Sequence, residues 1–244
     1  MLLAALAAGC ADEPAGTADV GIEQDFASQT QAVAAAYIGS ENCSACHADQ
    51  TAAWQRSHHA HSMAVADADS VLGDFNEARF DYGPYYAEFF VRDDRYWVRT
   101  NDLPRQAEPD SGPAEFEVLY TFGFEPLQQY LVETSPGNLQ ALNISATSGS
   151  DTSAWFDLYE GEQLAQDDPL QWSSELHSWN SRCATCHVTE FQKNYDRDNS
   201  TYQSAWAAIN VGCEACHGPG SVHAAQPAIP MPCLLYTSPS PRDL

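Results

Sequence analysis

Positive charge is what this sequence lacks. Ten Lys and Arg stand against 34 Asp and Glu, a formal net charge of −24, and Lys193 is the single lysine. Binding to a phosphate backbone needs a basic face, so nucleic acid is excluded as a partner. Long apolar runs are also missing. The one at the N-terminus, Met1 to Gly9 ahead of Cys10, is too short to span a bilayer. From Asp67 to Trp172 there is neither a cysteine nor a histidine. Any thiol or imidazole chemistry is therefore confined to the segments on either side.

Eight cysteines and eight histidines fall in those segments and near the ends. Six of the cysteines form three Cys-x-x-Cys-His units: Cys43-Ser-Ala-Cys46-His47, Cys183-Ala-Thr-Cys186-His187 and Cys213-Glu-Ala-Cys216-His217. At these residue frequencies a single such pentapeptide arises by chance with a probability of roughly 0.01. Positions three and four apart share a face of a helical turn, so two sulfurs and an imidazole converge on one ligand. The thiols add to the two vinyl groups of haem and the imidazole takes one axial position on iron. Three covalently bound haem c groups are expected.

Three other readings are weaker. A secreted disulfide framework gives no reason for a His after every pair. Structural zinc gives none either, and the 26 residues between Cys186 and Cys213 exceed the usual ribbon spacing. No βαβ pattern surrounds a pair, which argues against a thioredoxin-like site.

Three haems held by one His each need three more axial ligands to be six-coordinate. His58, His59, His61, His177 and His223 all lie within about 15 residues of a motif. His223 follows Gly218-Pro219-Gly220, which ends the helix of the third motif. It cannot readily reach the far face of its own haem and is expected to ligate a neighbouring one. His177, six residues before Cys183, is a further candidate. Met63 and Met231 are alternatives, and a Met–His pair would raise the potential.

The expected fold is α+β: a mainly helical multihaem domain over residues 36–231, with a small antiparallel β module inserted at about 75–160. Residues 40–66 read as helical, and the helical pattern resumes from Pro169. Ala87–Val91, Arg92–Arg95 and Tyr96–Thr100 read as a hairpin, with further strands at Glu115–Phe122, Leu139–Thr147 and Ala154–Tyr159.

Several runs resemble the cytochrome c-552/4 type of multihaem proteins, particularly bacterial members in which that domain precedes tetratricopeptide repeats. They are Tyr37-Ile-Gly-Ser-Glu-Asn-Cys43, Trp54-Gln-Arg-Ser-His-His59 with Met63 following, Tyr120-Thr-Phe-Gly123, Pro126-Leu-Gln-Gln-Tyr-Leu131 and Leu139-Gln-Ala-Leu142. The third motif adds Cys213-Glu-Ala-Cys-His-Gly-Pro-Gly-Ser221 with His223. The resemblance covers about residues 37–227. It implies closely packed bis-His haems in a periplasmic protein, with a fourth haem motif and helical repeats further downstream. It also selects His59 over His58 and His61, because His59 takes the Ser-x-His position where that family carries a ligand.

Residues 1–10 resemble the end of a bacterial lipoprotein signal, in which Cys10 becomes the lipidated first residue and anchors the chain to a membrane. Residues 11–35 read as a flexible linker. Residues 232–244, with Cys233, resemble a translated adapter tail and are set aside, and the natural protein is expected to continue past about Met231. The function expected is electron transfer outside the cytoplasm, with redox partners that present a basic docking face. The alternative is a multihaem reductase of a small nitrogen or sulfur compound, which needs an open iron site. The Lys-for-His variant motif of some nitrite reductases is absent, since Lys193 follows no cysteine pair. A third reading is a sensor or docking module on a repeat scaffold.

Overall fold

The computed structural model describes residues 35–108, 111–148, 154–162 and 164–226. The lipidation residue Cys10, most of the linker, Met231 and the C-terminal tail lie outside them. The described chain is built on strands. Among its residues there are eleven strands and five α-helices, and the longest helix, α1 (Ala48–Gln55), has eight residues. A mainly helical domain is therefore incorrect, and the β module is the framework of the fold rather than an insert.

One antiparallel sheet dominates. Its strands are β1 (Met63–Val65), β2 (Ala78–Tyr82), β3 (Tyr85–Arg92), β4 (Arg95–Thr100), β5 (Ala114–Phe122), β6 (Leu127–Ser135), β7 (Asn138–Ala141), β8 (Ile144–Thr147) and β9 (Trp155–Asp157). The order is β2-β3-β4-β5-β6-β8-β9, with β1 paired to β5 and β7 to β6. β9 returns beside β2 without pairing to it, so the sheet curls into a nearly closed barrel. Phe80, Tyr82 and Trp155 line a cavity of about 400 Å³ at that seam.

Alternation along the strands produces this arrangement. Ala87 and Phe89 of β3 and Val98 of β4 point inward, joining Phe75, Val118, Tyr130, Val132, Ile144 and Trp172 in one core. Phe89 and Trp155 stack at 3.5 Å across the seam. On the outer face Glu88 pairs with Arg79 and Arg99, Glu115 with Arg92 and Arg99, and Glu117 with Arg95. Asp93 and Asp94 turn the β3–β4 hairpin, both with positive φ (54° and 56°). That geometry belongs to the tight turns that match strand twist.

A second core lies where the sheet meets the haem motifs. Met63, Leu131, Leu139, Ala141, Trp179, Ala184 and Val188 are buried together there, with Tyr120, Phe122 and Trp206 packed around them. The helices α2 (Trp179–Arg182), α3 (Ala184–His187), α4 (Cys213–His217) and α5 (Ser221–Ala225) are one turn or slightly more. Such pieces do not hold themselves, since isolated helices below about 12 residues are marginal in water. The expected helix over 40–66 breaks in the same way. It divides into a 3-10 turn (Ser40–Cys43), α1, and strand β1, which pairs Met63 with Phe122. A short strand pair, β10 (Tyr195–Asp196) with β11 (Thr201–Tyr202), lies between the second and third motifs.

Candidate haem-attachment sites

Each motif is a single helical turn. His47 N donates to Cys43 O at 2.9 Å, and Cys186 N to Cys183 O at 3.1 Å. α4 carries the third motif and ends at Gly218, whose φ of 77° places it in the left-handed region that glycine accepts at a helix end. In all three motifs the first cysteine is half-buried, the second is exposed, and both thiols are free. Each turn thus carries one half-buried and one exposed free thiol three residues apart, the pair that attachment requires.

Motifs 1 and 3 are bound into one unit. Glu214, between the cysteines of motif 3, is buried (6% exposed). Its carboxylate accepts from Ile38 N at 3.0 and 3.1 Å, Gly39 N at 2.8 Å and Gly220 N at 2.7 Å. Cys213 N donates to Ser40 Oγ at 3.0 Å, and Ala36 N to Ser221 Oγ at 2.8 Å. Burial, and next the neighbouring Cys213 sulfur, push the Cys43 thiol up to about 11.

This seam brings two rings together. His47 and His223 face each other with centroids 6.1 Å apart and planes 27° from parallel. Two metal–nitrogen bonds of about 2.0 Å, plus about 1.1 Å from each ring centre to its nitrogen, predict roughly 6.2 Å for imidazoles sharing an iron. The centroid spacing and the donor set therefore suit a bis-imidazole haem, with the two rings turning from their stacked arrangement to aim a nitrogen each at one iron. His223 Nδ1 is also buried with no hydrogen-bond partner, a cost to the fold that a role for this ring would explain.

Motif 2 is held by the sheet and by β1. Asn180 in α2 accepts from Leu139 N at 2.8 Å and donates to Gly137 O at 3.1 Å and Ser204 Oγ at 2.9 Å. Ser62 links motifs 2 and 3: its hydroxyl donates to His187 O at 3.1 Å and accepts from Val211 N at 3.2 Å. The His187 ring packs against Phe122 at 4.5 Å, and its Nδ1 is buried and unpaired. Burial lowers the His187 pKa and keeps the imidazole neutral, the form that binds metal. His217 is exposed on α4.

The other histidines are placed differently. His59 is exposed, with its carbonyl accepting from Val211 N, which keeps its segment beside motif 3. His177 is half-buried, and its Nε2 lies 3.0 Å from the Tyr159 hydroxyl rather than opposite a motif histidine. His61 stacks on Phe124 at 4.4 Å and bonds Gln55 O, while His58 is exposed. Met63 is buried at 1% exposure, and its sulfur accepts the Trp179 indole N–H at 3.1 Å. It is a core residue, which removes it as an alternative ligand. Sequence reasoning missed Glu214, Ser62 and Asn180. A carboxylate inside a Cys-x-x-Cys-His unit was the one available hint.

Three Cys-x-x-Cys-His turns beside a β framework, with two histidine rings 6.1 Å apart, are the arrangement that a c-type cytochrome requires. The family model for cytochrome c554 and c-prime matches residues 42–77 and 150–218, which include all three motifs and leave out most of the sheet. Over those residues the chain is similar to the multihaem c-type cytochromes. A solved structure titled "Crystal Structure of Outer Cell Wall Cytochrome OcwA" superposes with a TM-score of 0.48 at 20% identity, covering 79% of this chain and 33% of that one. The chain thus spans about a third of the length of that structure. No curated protein matches the sequence.

Proposed function

We propose that the domain carries three haems, each with two imidazole ligands, and passes electrons between partners outside the cytoplasm. The observation that carries this reading is the opposition of His47 and His223 at 6.1 Å. When bound, haem iron supplies a one-electron couple whose potential the axial ligands tune. The chain's own residues attach and hold the group. Cys43 and Cys46, Cys183 and Cys186, and Cys213 and Cys216 supply sulfurs, while His47, His187 and His217 supply the proximal nitrogens. His223 would supply the second nitrogen for the motif 1 haem; of the remaining candidates, His59 lies on the segment held beside motif 3, and His177 would have to leave the Tyr159 hydroxyl at 3.0 Å to serve a haem. With Met63 in the core, imidazole is the ligand type that the described residues present.

Location outside the cytoplasm follows from covalent haem attachment, which bacteria carry out beyond the inner membrane. A lipid on Cys10 would hold the domain at a membrane surface, given more than one acyl chain. The charge of −24 suits partners with a basic docking face.

The test is a pyridine haemochrome count on the purified protein, haem staining after denaturing electrophoresis, and EPR. Three covalent haems, all low-spin, are expected. His223→Ala should convert one of the three to high-spin and leave the count unchanged. A count below three, or an unchanged EPR spectrum in this variant, would refute the assignment.

A further inference from the structure

We propose that Glu214 is the positioning residue that sets the distal ligation of the motif 1 haem. This inference rests on the pairing of His47 with His223 proposed above. Four features converge on this one side chain. It is buried, and it belongs to the motif 3 turn. It receives Ile38 and Gly39, which lead into motif 1, and it receives Gly220, three residues before His223. Its two oxygens therefore register three separate stretches: the entry to motif 1, α4, and the start of α5, on which His223 rides.

Hydrogen bonds from neutral N–H groups to a carboxylate are stronger than those to a neutral acceptor. Glu214 takes such bonds from three N–H groups, on both of its oxygens, and no cationic side chain is among its hydrogen-bond partners in the described residues. A carboxylate removed from water this way is costly unless the backbone geometry around it is kept. The arrangement thus fixes the backbone on both sides of the gap between His47 and His223. The serine contacts Cys213 N to Ser40 Oγ and Ala36 N to Ser221 Oγ run along the same seam but join only two stretches each. Glu214 joins all three.

The consequence is specific. Glu214 makes no hydrogen bond to either ring among the described residues, yet its loss should release His223 from His47 while all six attachment cysteines and the three motif histidines stay in place. Glu214→Gln keeps the volume but replaces one acceptor oxygen with an NH₂ that faces N–H donors. Glu214→Asp keeps the charge but withdraws it by one methylene.

The experiment compares the full holoprotein, His223→Ala, Glu214→Gln, Glu214→Asp and the Glu214→Gln/His223→Ala double variant. It reads haem count, low-temperature EPR and midpoint potentials. The expected result is three haems throughout, with Glu214→Gln moving the same haem toward high-spin that His223→Ala moves, and Glu214→Asp lying between. The double variant should match His223→Ala alone, because both changes remove one interaction. Added imidazole should return the low-spin signal in Glu214→Gln. A Glu214→Gln spectrum equal to the parent's, with His223→Ala altered, overturns the inference and leaves the ligand assignment standing. An unaltered His223→Ala spectrum overturns the assignment itself. If Glu214→Gln does not accumulate as holoprotein, Glu214→Asp decides: parent-like spin state and potentials would overturn the proposal.

Discussion

At the scale of single residues, chemistry and packing leave different traces in the sequence. The six cysteines and three motif histidines stand out in the sequence because haem attachment would constrain adjacent residues at fixed spacing. Met63 was not. It sits near a histidine cluster, which suggested a ligand, but its side chain completes the core beneath motif 2 and takes the Trp179 N–H. A flexible thioether fills irregular space well, and nothing local distinguishes that use from ligation. The two roles predict opposite outcomes. Met63→Leu, close in volume, should cost less than about 1.5 kcal/mol, and Met63→Ala about 2–5 kcal/mol by opening a cavity. Neither should change the spin state or shift a haem potential. Thermal melts followed alongside EPR check both halves, and a high-spin signal in Met63→Leu would restore the methionine to the ligand set. Glu214 was missed for a related reason: two of its three partners, Ile38 and Gly39, lie about 175 residues away in sequence, and no periodicity reports a contact of that range.

At the scale of elements, about half of the strands were readable: β1, β2, β6, β10 and β11 were not, the run Leu139–Thr147 divides into β7 and β8, and the expected long helices are absent from the described residues. The hairpin from Ala87 to Thr100 announced itself through aromatic and β-branched alternation around Asp93-Asp94, and β5, β7, β8 and β9 lie within a few residues of the expected runs. Residues 40–66 and 170–211 contain no Gly or Pro, which made them look like long helices. They are held as single turns because the sheet takes over their stabilisation. Gly137 shows how closely the two parts approach. It turns β6 into β7 with a φ of 72°, and a Cβ there would clash with the Tyr202 carbonyl oxygen of β11. Gly137 O also receives the Asn180 amide of α2. Gly137→Ala must therefore displace the β10–β11 hairpin or the turn itself. The strained backbone alone costs on the order of 1–3 kcal/mol, with the clash added. The expected outcome is a lower melting temperature and faster proteolysis within residues 190–210, with three haems still attached. An unchanged melt would show that β10–β11 is not held against the sheet.

At the scale of the whole molecule, charge is divided unequally between framework and redox centres. Residues 63–174 hold 21 acids and five bases, whereas residues 35–62 and 175–226, which carry every haem motif, hold seven acids and four bases. Four of the five framework bases, Arg79, Arg92, Arg95 and Arg99, are already paired on the outer face of the sheet. The haem-bearing part is thus only mildly negative, and most of the field that a partner meets arises from the barrel beside it. Screening decides which of the two a partner senses. The Debye length is about 30 Å at 0.01 M salt, enough for the barrel to act at the haems, and about 8 Å at 0.15 M, where the local balance governs. Electron exchange with a cationic metal complex should therefore outrun exchange with an anionic complex of similar size and driving force by tenfold or more at 0.01 M, within the range that steering supplies. The ratio should collapse toward unity by 0.15 M, earlier than it would if the acids surrounded the haems. Stopped-flow rates across that salt range make the measurement. A preference that persists at high salt would place the steering charge beside the haems, and equal rates at low salt would remove a role for charge in partner choice.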